Sequence, residues 1–145
     1  MSQMPDVARR CPSKLFPLAW VGPVAFCVEE VLRTLPVPGV YVFHAVATGL
    51  GAHAILYAGQ SADLRSRLIQ HLKGDYHFPN VVSARPELAV CVSTAPVFDV
   101  EFRRGVLAGL VRGLRPAFNC PLPYVAAIPV NLPPFISLTG EEYEA

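Results

Sequence analysis

The feature that most constrains this chain is where its prolines fall. Proline fixes φ and lacks an N–H, so it interrupts helix interiors and central strands. Of 15 prolines, Pro5, Pro12, Pro17, Pro23, Pro36 and Pro38 precede residue 39. Pro116, Pro121, Pro123, Pro129, Pro133 and Pro134 follow residue 115, leaving only Pro79, Pro86 and Pro96 between. Regular structure is therefore expected over 39–115. The 145 residues suit one domain, and a 52% hydrophobic content is enough for a core.

Charge is informative through its placement. Glu141, Glu142 and Glu144 close the chain, and without them 12 basic residues stand against 8 acidic. Residues 62–115 hold Arg65, Arg67, Lys73, Arg85, Arg103, Arg104, Arg112 and Arg115 against five acids, a mild basic bias compatible with binding phosphates. An ordinary solvated surface would look the same. The four cysteines form no CxxC pair and have no histidine at zinc-ligand spacing, so reduced thiols in a cytoplasmic setting are the expectation. The apolar run Leu15–Val28 follows basic residues as a signal peptide would. Pro17 and Pro23 break it and Glu29 and Glu30 follow at once, so a buried arm is expected, with a helix over Val24–Leu35.

Val40–Val46, rich in β-branched and aromatic residues, reads as a strand. Thr48, Gly49 and Gly51 make a turn, and Ala54–Ala58 reads as the returning strand. Ser61 is expected as a helix N-cap with Asp63 in the first turn, followed by the stripe Leu64, Leu68 and Leu72. Residues 74–87 read as a loop and Leu88–Val92 as a third strand. Phe102, Val106, Leu110 and Leu114 mark a last helix from about Asp99, stopped by Pro116. The fold class expected is α/β in the α+β sense: a small, three-stranded, mainly antiparallel sheet flanked by helices.

Two tripeptides sit on the hairpin, Gly39-Val40-Tyr41 and Tyr57-Ala58-Gly59. A turn centred near residue 49 would make Tyr41 and Tyr57 cross-strand partners on one face. Such a pair can be simple aromatic packing. Arg67 and His71, at i and i+4, share a helix face beside the leucine stripe and can project toward the tyrosines. Taken singly, the first suits a surface arginine and the second a helix-end histidine.

In order, GVY, a 15-residue spacer, YAG and then QSADLRSRLIQH, with PAFN at the end, resemble the GIY-YIG nuclease superfamily over Gly39–Asn119. The resemblance implies that Tyr41 and Tyr57 position or deprotonate an attacking water and that Arg67 steadies charge on the phosphate. It implies that His71 takes part in proton transfer, that Gly39 and Gly59 are the motif glycines, and that Asn119 braces the site. It also implies a single Mg²⁺ or Mn²⁺ ion, hydrolysis of nucleic-acid phosphodiesters with DNA ahead of RNA, and no membrane partner. A homodimer is compatible with it. Arg65, Lys73, Arg103 and Arg104 are candidate nucleic-acid contacts.

A hard cation needs at least one carboxylate. The resemblance places a glutamate about nine residues before the proline of the closing motif, where this chain has Leu107. Glu101 is the nearest acid on that helix, six residues earlier, or about 120° around the axis from the expected face. Either the helix is displaced and Glu101 is the metal ligand, or the site has lost its ligand and the domain binds without cutting. The organisation expected is an N-terminal arm and helix over 1–38, the nuclease-like domain over 39–119 and a Pro-rich extension with an acidic tail over 120–145.

Overall fold

The computed structural model describes residues 15–47, 52–74, 88–116 and 127–133. The elements are β1 (Val21–Ala25), α1 (Val28–Leu32), β2 (Gly39–Ala47), β3 (Ala52–Ser61), α2 (Leu64–Leu72), β4 (Leu88–Pro96) and α3 (Val100–Leu114). They build a four-stranded sheet in the order β1-β4-β2-β3, with every neighbouring pair antiparallel. The architecture is α+β, as the sequence implies, with one strand more than expected. The extra strand is β1, drawn from a segment read as a buried arm leading into a helix. Pro23 sits within it, which an edge strand tolerates because one side has no ladder to complete.

Strand alternation sorts side chains to two faces. Val40, Val42, Ala58 and Ala95 point to one face, where Val106 and Leu110 of α3 cover them together with Leu18, Val97 and Val130. Tyr41, Phe43, Ala45 and Val92 point to the other, under Leu64 and Leu68 of α2 and Val31 of α1. The leucine and valine stripes read from the sequence thus serve opposite faces of one sheet. At about 25 cal/mol per Å² of apolar area, burying a single such side chain contributes roughly 1.5–3 kcal/mol. Residues 127–133 lie along the α3 side, where Phe16 bridges Val130 and Ile128 N–H donates to the Gly105 carbonyl at 3.0 Å.

Both long helices begin on an aspartate. Asp63 accepts from Ser66 N–H at 3.1 Å and Asp99 from Phe102 N–H at 2.8 Å. The first corrects the expected cap: β3 runs on to Ser61, whose hydroxyl accepts from Asp63 N–H at 3.0 Å and so closes the turn into α2.

Candidate functional site

The hairpin register decides where the tyrosines meet. Near the turn Ala47 faces Ala52 and His44 faces Ile55. A bulge then adds Leu56 to β3, so that Phe43 faces Tyr57 and Tyr41 faces Gly59. Tyr41 and Tyr57 are therefore diagonal neighbours, correcting the direct pairing expected from a turn centred at residue 49. They still share the α2 face, with ring centroids 6.1 Å apart. The bulge also explains how consecutive residues Leu56 and Tyr57 both pack in the α2-side cluster.

Opposite Tyr41 there is no side chain, and this explains Gly59. A Cβ built there would collide with the Tyr41 ring and hydroxyl. Gly39 is under a similar constraint, since its Cβ would meet the Ala95 carbonyl oxygen and, at 2.7 Å, a methyl of Leu64. The two motif glycines let the phenol ring and α2 lie directly on the sheet.

Tyr41 is wholly buried, and its hydroxyl lies 3.0 Å from His71 Nε2. His71 is 1% exposed and packs against Tyr41, Phe43 and Tyr57 at centroid separations of 5.5, 5.0 and 5.7 Å. It is thus a buried histidine rather than a solvated one at a helix end. Burial, with the Arg67 guanidinium adding to it, lowers its pKa to about 4. The imidazole is neutral at pH 7, and with Nε2 unprotonated it accepts a hydrogen bond from the Tyr41 hydroxyl. One helical turn earlier, Arg67 donates from Nη1 to the Gln60 carbonyl at 3.2 Å and from Nε to Gln70 Oε1 at 3.1 Å. Two phenols, a neutral imidazole and a guanidinium therefore meet at the end of the hairpin, over α2.

The last helix departs from expectation. Glu101 lies in the first turn of α3, its side chain is 77% exposed, and it pairs at 3.4 Å with Arg104 on the same helix. Leu107 packs into the α3-side cluster, across the sheet from Tyr41. α3 starts where the sequence indicates and presents an aliphatic stripe to the sheet, with Glu101 outside that stripe. The other described carboxylates are occupied elsewhere: Asp63 and Asp99 cap helices, and Glu29 and Glu30 lie on α1. Among the described residues no group of three or more His, Cys, Asp or Glu could hold a metal ion. The described donor set, phenol, imidazole and guanidinium, does not fit a hard divalent cation. Asn119, Asp75 and Glu87 lie outside the described residues.

The proposed nucleic-acid contacts divide. Lys73 is exposed at the end of α2. Arg65 instead donates from Nε to the Thr34 carbonyl at 2.8 Å, tying α2 to the segment after α1. Arg104 is exposed and bound to Glu101. Arg103 is a correction: it is only 5% exposed, with Nε donating to Gln60 Oε1 at 2.7 Å and Nη1 to the carbonyls of Val97 and Phe98 at 3.2 and 3.3 Å. Sequence reasoning missed the link between Arg103 and Gln60. A signal was present, since Arg103 lies three residues before Val106 and seven before Leu110, on the buried stripe itself.

No protein-family model matches the chain, and no curated protein matches it. Among solved structures, the chain is similar to the GIY-YIG N-terminal endonuclease domain of UvrC from Thermotoga maritima. In the form bound to its catalytic divalent cation, magnesium, the identity is 22%, covering 63% of this chain and 93% of that one, with a TM-score of 0.49. A tyrosine-to-phenylalanine point mutant of the same domain, also bound to its catalytic divalent cation, matches at 22% identity over 64% of this chain and 93% of that one, with a TM-score of 0.49.

Proposed function

We propose that this chain is a GIY-YIG-like endonuclease domain that hydrolyses phosphodiester bonds of DNA. The observation that carries the reading is the buried Tyr41–His71 hydrogen bond of 3.0 Å, with Tyr57 packed beside it and Arg67 one helical turn away. Tyr41, Tyr57 and the α2 pair Arg67 and His71 come from three successive elements and match the resemblance in order and spacing.

Phosphodiester hydrolysis needs a proton acceptor for the attacking water and positive charge on the non-bridging oxygens. Water adds to phosphorus as the bond to the leaving oxygen breaks, and the water's proton passes to that oxygen. Buried Tyr41, donating to Nε2 of neutral His71, orients the phenol pair about the reacting water. A phenol with an ordinary pKa near 10 is a poor base at neutral pH, so the tyrosines orient the water rather than remove its proton. Arg67 stabilises the charge growing on the phosphate, because its planar fork stays ionised and matches phosphate geometry. Tyr57 confines the ring of His71. No step is assigned to a metal, since the described carboxylates lie elsewhere.

A specific observation favours a second reading, a domain that grips nucleic acid without cutting it: Glu101 faces solvent and Leu107 stands at the glutamate position. Incubating the full chain with supercoiled plasmid, with Mg²⁺ or Mn²⁺ and with EDTA, separates the two. Nicked circles that Arg67→Ala fails to produce support the nuclease. Retardation of the plasmid without nicking under every condition supports the binding module.

A further inference from the structure

The buried Arg103 has no part in the reading so far, and its surroundings are unusual for a buried cation. Its partners are the Gln60 side-chain oxygen and two backbone carbonyls, all neutral, and it makes no ion pair among the described residues. A buried charge is normally matched by an opposite one, because an ion loses its hydration on burial. Among the described residues the charge is solvated by dipoles alone.

The same glutamine serves the site arginine. Gln60 follows the Tyr57-Ala58-Gly59 tripeptide on β3, which pairs only with β2 and forms one edge of the sheet. Its side chain reaches toward α3, where Oε1 accepts from Arg103 at 2.7 Å. Its backbone carbonyl accepts from Arg67, on α2, at 3.2 Å. One residue at the sheet edge therefore ties together guanidinium groups from helices on opposite faces.

We propose that Gln60 and Arg103 form a support for Arg67, and that the resulting cationic edge binds a phosphodiester anion without a carboxylate-held metal ion. The inference rests on the phosphodiester reading above and adds a positioning role for two residues the motif does not name. Arg103 fixes Gln60, Gln60 fixes the carbonyl on which Arg67 rests, and Arg67 meets the phosphate with fewer rotamers left to lose. The buried charge adds positive potential, and among the described residues Arg103 is in no ion pair.

The test is fluorescence anisotropy with a short fluorescein-labelled DNA duplex and the full chain, in EDTA and in Mg²⁺ at matched ionic strength, over a salt series. Wild-type protein is expected to bind equally well, within about twofold, in both media. Arg67→Gln is expected to lower the salt slope by about one, as loss of one phosphate contact does. Arg103→Gln is expected to weaken binding about tenfold and lower the slope to the same degree, with no further loss in the double variant. A merely structural role for Arg103 would leave the slope unchanged and the two losses additive. Gln60→Glu keeps an acceptor for Arg103 and adds an opposite charge, so it decides the matter should Arg103→Gln not fold. It is expected to bind more weakly with a reduced slope. Variants that bind like wild type overturn the proposal. Wild-type binding that requires Mg²⁺ overturns it too, while leaving the phosphodiester reading intact. Binding in neither medium overturns both.

Discussion

The helices α2 and α3 start alike and end in different chemistry. Each is capped by an aspartate and lays an apolar stripe on the sheet. On α2 the stripe Leu64 and Leu68 continues into His71, buried and hydrogen-bonded to Tyr41, with Arg67 beside it. On α3 the stripe Val106 and Leu110 begins at Arg103, buried against Gln60, while the acid of its first turn faces water. The difference shows which polar groups the fold has a reason to desolvate. Histidine and the two arginines are held by specific acceptors or packing, whereas Glu101 is left where a surface ion pair contributes only about 0–1 kcal/mol.

The largest expected effect lies on the α2 side. Arg67→Ala removes the charge clamp and is expected to cost about 10²–10³ in plasmid nicking rate. Its circular dichroism spectrum should match wild type, since Arg67 is half-exposed and lies off the core stripe. Full activity in that variant would erase the contrast between the helices.

Gly59→Ala is next. The added methyl meets the Tyr41 ring, and such overpacking costs typically 1–3 kcal/mol. Thermal unfolding should show a clear drop in Tm, and an unchanged Tm would mean that Tyr41 can move away from His71 freely.

The third prediction uses pH. The folded pKa of His71, about 4, lies below its ordinary value of 6.5, so the fold favours the neutral ring. The unfolded chain then binds more protons between those two values. The stability tied to this group is fully present above pH 6.5 and is lost as pH falls toward 4. Urea unfolding across that range should show the loss in wild type, and His71→Phe should flatten that part of the curve. A wild-type curve with the same slope as His71→Phe would place His71 in water.

The smallest effect belongs to α3. Glu101→Gln should change nicking by less than about twofold and stability by less than about 0.5 kcal/mol, as surface substitutions usually do. Loss of nicking would return Glu101 to the site and reverse the reading of α3.

Much of this was legible in the sequence because it depended on local periodicity. The leucines of α2, the stripe of α3 and the tripeptides of the hairpin declare themselves within a few residues. What was not legible depended on partners distant in sequence. β1 becomes a strand because β4, some 70 residues on, offers it an open edge, and nothing inside Val21–Ala25 with its Pro23 announces this. The Leu56 bulge shifts the tyrosine register without changing the composition of β3. Arg103 reads as a nucleic-acid contact in the sequence because its acceptor, Gln60, is 43 residues away. Asn119 lies outside the described residues.

In the proposed reaction the phenol held by His71 takes part in cutting the phosphodiester. Tyr41→Phe keeps the ring that fills the space over Gly59 and removes only the hydroxyl, at a stability cost of about 1 kcal/mol. Single-turnover nicking of supercoiled plasmid by folded Tyr41→Phe and wild-type protein tests it most directly. The rate is expected to fall about 10²-fold below wild type, the scale of a misplaced group at a reacting centre. Nicking at the wild-type rate would contradict it and leave Tyr41 as core packing.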